Sequence, residues 1–200
     1  MQTEEKRSFE RYWDQIRYPE RFLMGKHAEH PSRVIIADLS KEYGYALECG
    51  CGAAVDYPLY VERGIEYKGL DLTQKLLDAA KIRHPEINLV QGSIYNIPET
   101  SNSIPTVYTR AVLEHLHPLE WPKAIREMWR VASKQIIIGL FKWSPDYIQY
   151  EAPETLPKVF ANIIGHLNVA KILDELGANW RCLDTPKGYK VYRIYQAKKS

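Results

Sequence analysis

The sequence predicts an α/β fold in which a mostly parallel sheet of seven strands carries helices on both faces and ends in an antiparallel hairpin. Three observations predict it. From Tyr45 to Phe141 short apolar runs alternate with stretches of helical periodicity, the pattern of repeated βα units. Within that region a strand-like run passes straight into a turn whose two glycines, Gly50 and Gly52, are two apart. The last quarter then changes to a helical stretch followed by two strand-like runs joined at Pro186-Lys187-Gly188. An antiparallel pair makes the sheet mixed, whereas a dinucleotide-binding domain more commonly continues with parallel units. Together these describe a Rossmann-like, doubly wound architecture.

The elements follow in order. Residues 3–24 mix charges with Phe9, Tyr12, Trp13, Ile16 and Phe22 at spacings of three and four, so amphipathic helices are expected there, broken around Tyr18-Pro19. Ser32 is the expected N-cap of a helix over 33–43, with Gly44 closing it. Strands are expected near 45–50, 66–72, 87–92, 106–111 and 135–141. Helices are expected over 55–63, over 73–83 with Thr73 as N-cap, and over 118–131 with Trp121-Pro122 in the first turn. A long helix over 158–176 closed by Gly177 precedes strands over 180–184 and 191–197.

Composition bounds the function. Two hundred residues, 45% of them hydrophobic, suit one domain over 1–200, with 1–44 as a helical N-terminal lid and 45–200 as the core. A net charge of +2 offers no basic field, which weighs against a nucleic-acid partner. The longest apolar run, Ile136 to Phe141, is far short of the ~20 residues a membrane span needs. The charged start MQTEEKRSFE lacks the apolar region of a secretory signal, and three cysteines are too few for a disulfide framework, so a cytoplasmic protein is expected. His27 with His30 and Cys49 with Cys51 lack the spacing of a four-ligand zinc site, and no metal is expected. Oligomeric state leaves no pattern to read.

The chemistry concentrates in Ala46-Leu47-Glu48-Cys49-Gly50-Cys51-Gly52-Ala53-Ala54, where the glycines let the backbone turn tightly and touch a ligand lying across the strand ends. Asp71 stands roughly 20 residues on, at the end of the next strand, where a carboxylate can accept hydrogen bonds from both hydroxyls of a ribose. A cap for the helix that follows is the other reading of Asp71. Val55 occupies the sixth position of what would be a dinucleotide fingerprint, and Glu48 places a carboxylate where a pyrophosphate would approach. A ligand with a cationic end fits Glu48 better.

These residues resemble the class I S-adenosylmethionine-dependent methyltransferases, and among them the small ubiquinone- and menaquinone-biosynthesis type. Leu47-Glu48-Cys49-Gly50-Cys51-Gly52 resembles the family's first motif, and Gly69-Leu70-Asp71-Leu72-Thr73 its second, where the acid holds the ribose. Gln91-Gly92-Ser93-Ile94 is similar to the segment flanking the adenine, and Ala111-Val112-Leu113-Glu114-His115-Leu116 to the stretch beside the reactive end of the cofactor. The resemblance implies S-adenosylmethionine as cofactor, S-adenosylhomocysteine as product, and Glu48, Gly50, Cys51, Gly52, Asp71, Leu72, Gly92, Ser93, Ile94 and Arg110 as its contacts. The departures are Ala54 for the third glycine, tolerable if its φ is negative, Ser93 for the usual Asp, and Ile104-Pro105 at the opening of the fourth strand.

Methyl transfer from a sulfonium is an in-line displacement that depends chiefly on alignment and exclusion of water. For an acceptor that must lose a proton, His115 is the preferred base, ahead of Glu114 and His117; a structural histidine is the other reading. Tyr12 and Trp13 in the N-terminal segment, and Tyr147 in the loop 142–157, supply aromatic rings that could close over cofactor and acceptor. A methyltransferase acting on a small-molecule acceptor is the expected function. A cofactor-binding relative without turnover, or less favourably an NAD-dependent oxidoreductase, is the alternative.

Overall fold

The structure is a computed structural model and describes residues 30–117, 119–141, 164–185 and 192–199. Helix α1 (Pro31–Ser40) and a single 3-10 turn lead into β1 (Tyr45–Cys49). The chain then alternates: α2 (Tyr57–Glu62), β2 (Glu66–Asp71), α3 (Gln74–Arg83), β3 (Asn88–Gln91) and β4 (Ile104–Arg110). A 3-10 turn (Leu113–His115), α4 (Trp121–Val131), β5 (Ala132–Phe141), α5 (His166–Glu175), β6 (Asn179–Asp184) and β7 (Tyr192–Lys198) complete it.

The seven strands run β3-β2-β1-β4-β5-β7-β6. The first five are parallel, and β7 inserts antiparallel between β5 and β6, so the mixed sheet predicted from the closing hairpin is present. From β1 the chain builds outward to β3 and then crosses to β4 on the other side. The strand order thus reverses between β1 and β4, and the crevice beyond their carboxyl ends is where an open α/β sheet binds ligands.

Both faces are covered. Ile136 and Ile138 of β5 pack with Leu47, Val107, Ile125, Met128, Leu173 and Tyr195 beneath α4 and α5. Ile137, between them, points to the opposite layer with Ile36, Ala46, Tyr60, Ala80, Tyr108 and Ile194. The two-residue period of a strand buried on both sides explains why 135–141 reads as one continuous apolar run.

Four expectations need correction. The N-cap of α1 is His30, whose Nδ1 accepts a hydrogen bond from the Ser32 backbone N–H, and Pro31 takes the first helical position. Residues 31–43 are not lid: Ile36 and Ala37 are fully buried against the sheet, so only residues before 30, outside the described set, remain for that role. Helix α5 begins at His166 after the extended Gly165, not at 158, and residues 158–163 lie outside the described set. Helix α4 starts at Trp121; Pro118 lies outside the described set. The proline at the mouth of β4 is accommodated by a register shift against β5 between Ile104 and Thr106, while the β1 ladder begins only at Thr106.

Candidate cofactor and active site

The turn after β1 is shaped by what its glycines lack. Gly50 has φ +77°, and a Cβ there would lie 2.5 Å from Val112 Cγ2 in the segment leaving β4. Its N–H and that of Cys51 both reach Leu70 O on β2, at 2.7 and 3.0 Å, which folds the turn onto the neighbouring strand end. Gly52, at φ +53°, has only Leu76 near where a Cβ would stand, so the backbone is open to close approach. Ala54 has φ +51° and is fully buried, so the condition of a negative φ for tolerating its methyl group is not met. The third position of the motif keeps its left-handed backbone, and the methyl group carries the strain. Ala111, just past β4, shows the same at φ +55°.

Asp71 faces this turn. Its Oδ2 accepts from the Gly52 N–H at 2.7 Å and its Oδ1 from the Thr73 N–H at 2.9 Å. Both readings of Asp71 therefore meet in one side chain: it braces the start of α3 and stands at the strand end beside the glycine turn. Burial raises its carboxyl, and the backbone N–H groups of Thr73 and Gly52 pull it back down. Leu72 follows at the rim, partly exposed. Gly92 donates to Asp71 O, and a Cβ on it would press on Leu70 at 3.1 Å. Ser93 Oγ accepts from the Tyr95 N–H at 3.2 Å, and Ile94 is buried in the core beneath. This segment is fastened from below, since Glu127 on α4 accepts from the Ile97 N–H and Arg130 donates to the Ile97 carbonyl.

Glu48 is not at the rim. It is 5% exposed, and Tyr67 Oη donates to its Oε2 at 2.5 Å inside a nest of tyrosines, with Tyr60 stacked on Tyr108. Burial raises its carboxyl, and Tyr67, Arg33 and Arg110 oppose the rise. Cys51 is buried, its thiol pushed up by loss of water, and its Sγ fills the space over Gly69, where a Cβ would meet it at 2.8 Å. Arg110, at the end of β4, lies 3.9 Å from Asp56, a carboxylate that also pairs with Arg33 of α1. His115 sits half-buried in the 3-10 turn beyond β4, its N–H bonded to Val112 O. The turn, Asp71, the Gly92 segment, Arg110 and His115 thus all gather at the carboxyl edge around the point where strand order reverses.

Residues 47–137 match the sequence model of a family described as a methyltransferase domain. Over that stretch the chain is similar to a methyltransferase domain. Solved structures share its fold at low identity. Magnesium protoporphyrin IX methyltransferase from Synechocystis PCC 6803, crystallised with S-adenosylmethionine, is 17% identical with a TM-score of 0.70, covering 100% of this chain and 99% of its own. The 1,6-didemethyltoxoflavin-N1-methyltransferase of Burkholderia thailandensis, solved with bound 1,6-didemethyltoxoflavin and S-adenosylhomocysteine, is 14% identical with a TM-score of 0.71, covering 98% and 87%. A methyltransferase from Aquifex aeolicus is 17% identical with a TM-score of 0.62, covering 98% and 99%. No curated protein sequence matches.

Sequence reasoning missed one part of this site. Asp56, 1% exposed, binds Arg33 and faces Arg110, tying the first described helix to the glycine turn and the end of β4. Each member reads as an ordinary surface charge in its own segment, and only the tertiary fold brings them together. Tyr12, Trp13 and Tyr147 lie outside the described residues. Among the described residues no cluster of His, Cys, Asp or Glu could hold a metal ion, and no helix is long and apolar enough to cross a membrane. Among the described residues, Arg193 is engaged with Asp184, Lys198 with Glu42, and Lys199 with Asn102 and the Trp129 ring.

Proposed function

We propose that the chain is an S-adenosylmethionine-dependent methyltransferase acting on a small-molecule acceptor. The observation that carries this reading is the bond from the Gly52 N–H to the Asp71 carboxylate, which locks two strand ends into one cradle at the switch point. The residues present fit the cofactor. Gly50 and Gly52 allow the backbone to lie against it, Asp71 retains lone pairs for ribose hydroxyls, and Leu72, Gly92, Ser93 and Ile94 border the adenine side. Cys51 supports the turn from within. Arg110 sets the charge at the amino-acid end, and the buried Glu48 supports the end of β1 from beneath.

When bound, the cofactor supplies a methyl group on a positively charged sulfur. The protein orients the two reactants and excludes water, and alignment of this kind is worth about 7–11 kcal/mol of barrier. His115 accepts the proton of an oxygen or nitrogen acceptor, and Tyr12, Trp13 and Tyr147 belong to the segments that cover the site. Single-domain organisation over 1–200 goes with this reading, as does a cytoplasmic setting. The antiparallel β7 and the side chain of Val55 speak against a nicotinamide cofactor.

Calorimetry with S-adenosylmethionine and S-adenosylhomocysteine tests the reading, and binding of both is expected. Radiolabelled methyl transfer into a metabolite extract then separates an enzyme from a cofactor-binding relative. The latter draws support from Ser93, whose hydroxyl serves a local turn. Binding of neither ligand at millimolar concentration overturns the proposal.

A further inference from the structure

A second polar constellation stands at the same edge of the sheet, away from Asp71. His166 opens α5, and its Nδ1 lies 3.0 Å from Tyr195 Oη with the two rings stacked at 5.7 Å. Trp180 meets the imidazole edge-on at 5.9 Å and is itself fixed by a 2.7 Å bond from its Nε1 to Asp174. Arg193 projects from the same face of β7 as Tyr195, lies against the same phenol, and reaches Asp184 at 3.5 Å through Nε. An imidazole, a phenol, a guanidinium and a carboxylate are thereby joined in one row.

The strand register gives the row its place. Tyr195 pairs with Ile138, Ile138 pairs with Thr109, and Thr109 Oγ1 donates to Cys49 O, the residue before the glycine turn. The phenol is therefore level with the end of β1 and three strands across, about 14 Å at ordinary strand spacing. It stands about 10 Å, two strands, beyond the end of β4. A small planar molecule spans that distance.

The hydrogen-bond pattern gives the row its polarity. With a guanidinium beside its oxygen, the phenol is left to donate its own proton to Nδ1, and the neutral imidazole then carries its proton on Nε2. Among the described residues nothing accepts from Nε2. Arg193 keeps N–H groups beyond the one aimed at Asp184. A neutral donor on the far side of the imidazole and a cationic donor beside the phenol suit the two oxygens of a carboxylate.

We propose that His166 and Arg193 anchor a carboxylate on the methyl acceptor, with Tyr195 as the residue that positions the imidazole. The inference rests on the methyltransferase reading. It places the acceptor across β4, β5 and β7, and makes a planar carboxylic acid the substrate class.

The test uses the full chain saturated with S-adenosylhomocysteine, with benzoate and benzamide as probes in ligand-observed NMR. Benzoate binding in preference to benzamide is expected. His166→Phe keeps the ring stack and loses the donor, and Arg193→Met keeps the stem and loses the charge; each weakens benzoate by about tenfold or more. His166→Gln, which retains an N–H, recovers part of the loss, whereas a purely structural role would give no such recovery. S-adenosylhomocysteine affinity serves as the control and is expected to hold in all three variants, while melting temperature reports separately on the lost contact to the buried Tyr195 phenol. Benzoate bound no better than benzamide, or bound within about twofold of wild type by His166→Phe and Arg193→Met, overturns the anchor while leaving the cofactor site standing. Failure of the wild type to bind S-adenosylhomocysteine removes the methyltransferase reading first, and the anchor with it.

Discussion

Two carboxylates near the glycine turn are both raised by burial, and they differ in what their ionised forms meet. Glu48 has a phenol and two more distant guanidinium groups, and the net effect still favours its proton. A raised folded pKa means that the folded state binds the proton more tightly than the unfolded chain, so this contribution is full below the unfolded value and is lost as pH rises through the folded one. Glu48→Gln is therefore expected to gain stability over wild type as pH rises above the ordinary carboxylate value and to gain none below it. Thermal unfolding across that range measures it, about 1 kcal/mol appearing as roughly 2–4 °C for a chain of this size; a difference that stays flat with pH contradicts the argument. Asp71 spends its charge on backbone N–H groups and, in the proposed function, on a ribose. Asp71→Ala should weaken cofactor binding by about 1–3 kcal/mol and also lower the melting temperature, because Gly52 and Thr73 lose their acceptor. A lowered melting temperature with unchanged affinity would leave Asp71 a turn brace alone.

Elements were legible in the sequence where one physical signal dominated. The strands of the parallel region announce themselves as apolar runs because both faces are buried, and Gly177 marks the end of α5 because its φ is +65°. Boundaries were lost where two signals competed. Ser32 is a good cap by type, yet Pro31 fits only the first turn of a helix, which moves the cap back to His30. At Ala54 the residue type suggested ordinary backbone and the fold demanded the left-handed one. Releasing that strain with Ala54→Gly gains about 1–2 kcal/mol and forfeits about 0.8 kcal/mol of buried methyl, so unfolding stability should hold or rise slightly. Gly69→Ala drives a Cβ to 2.6 Å from Leu89 Cδ2 and is expected to cost about 1–3 kcal/mol. Gly50→Ala adds left-handed strain to a 2.5 Å contact and should cost more. Urea unfolding of the three variants checks the order.

Across the whole molecule, long-range charge pairing was hidden from the sequence. Arg33, Asp56 and Arg110 come from a helix, a turn and a strand end, and no spacing rule connects them. Asp56→Asn strips the negative charge from between two largely buried guanidinium groups and is expected to cost about 3–5 kcal/mol, read as lost denaturation midpoint. The glycine turn and Asp71 were legible at this scale because backbone constraint and strand-end position leave local traces. The acceptor side was not, because His166, Trp180 and Tyr195 are spread over three elements joined only by the sheet.

The insertion of β7 between β5 and β6 has a consequence for biosynthesis. While the chain emerges from the ribosome, β5 keeps one edge bare and β6 has no neighbour until residues 192–198 are made. A nascent chain halted after β6 would hold the entire glycine turn and Asp71 yet expose the Ile136–Ile138 backbone as a template for foreign strands. Chaperone capture during synthesis should accordingly peak after β5 and fall once the β7 segment is released, a profile that ribosome-bound pull-down at staged lengths would record.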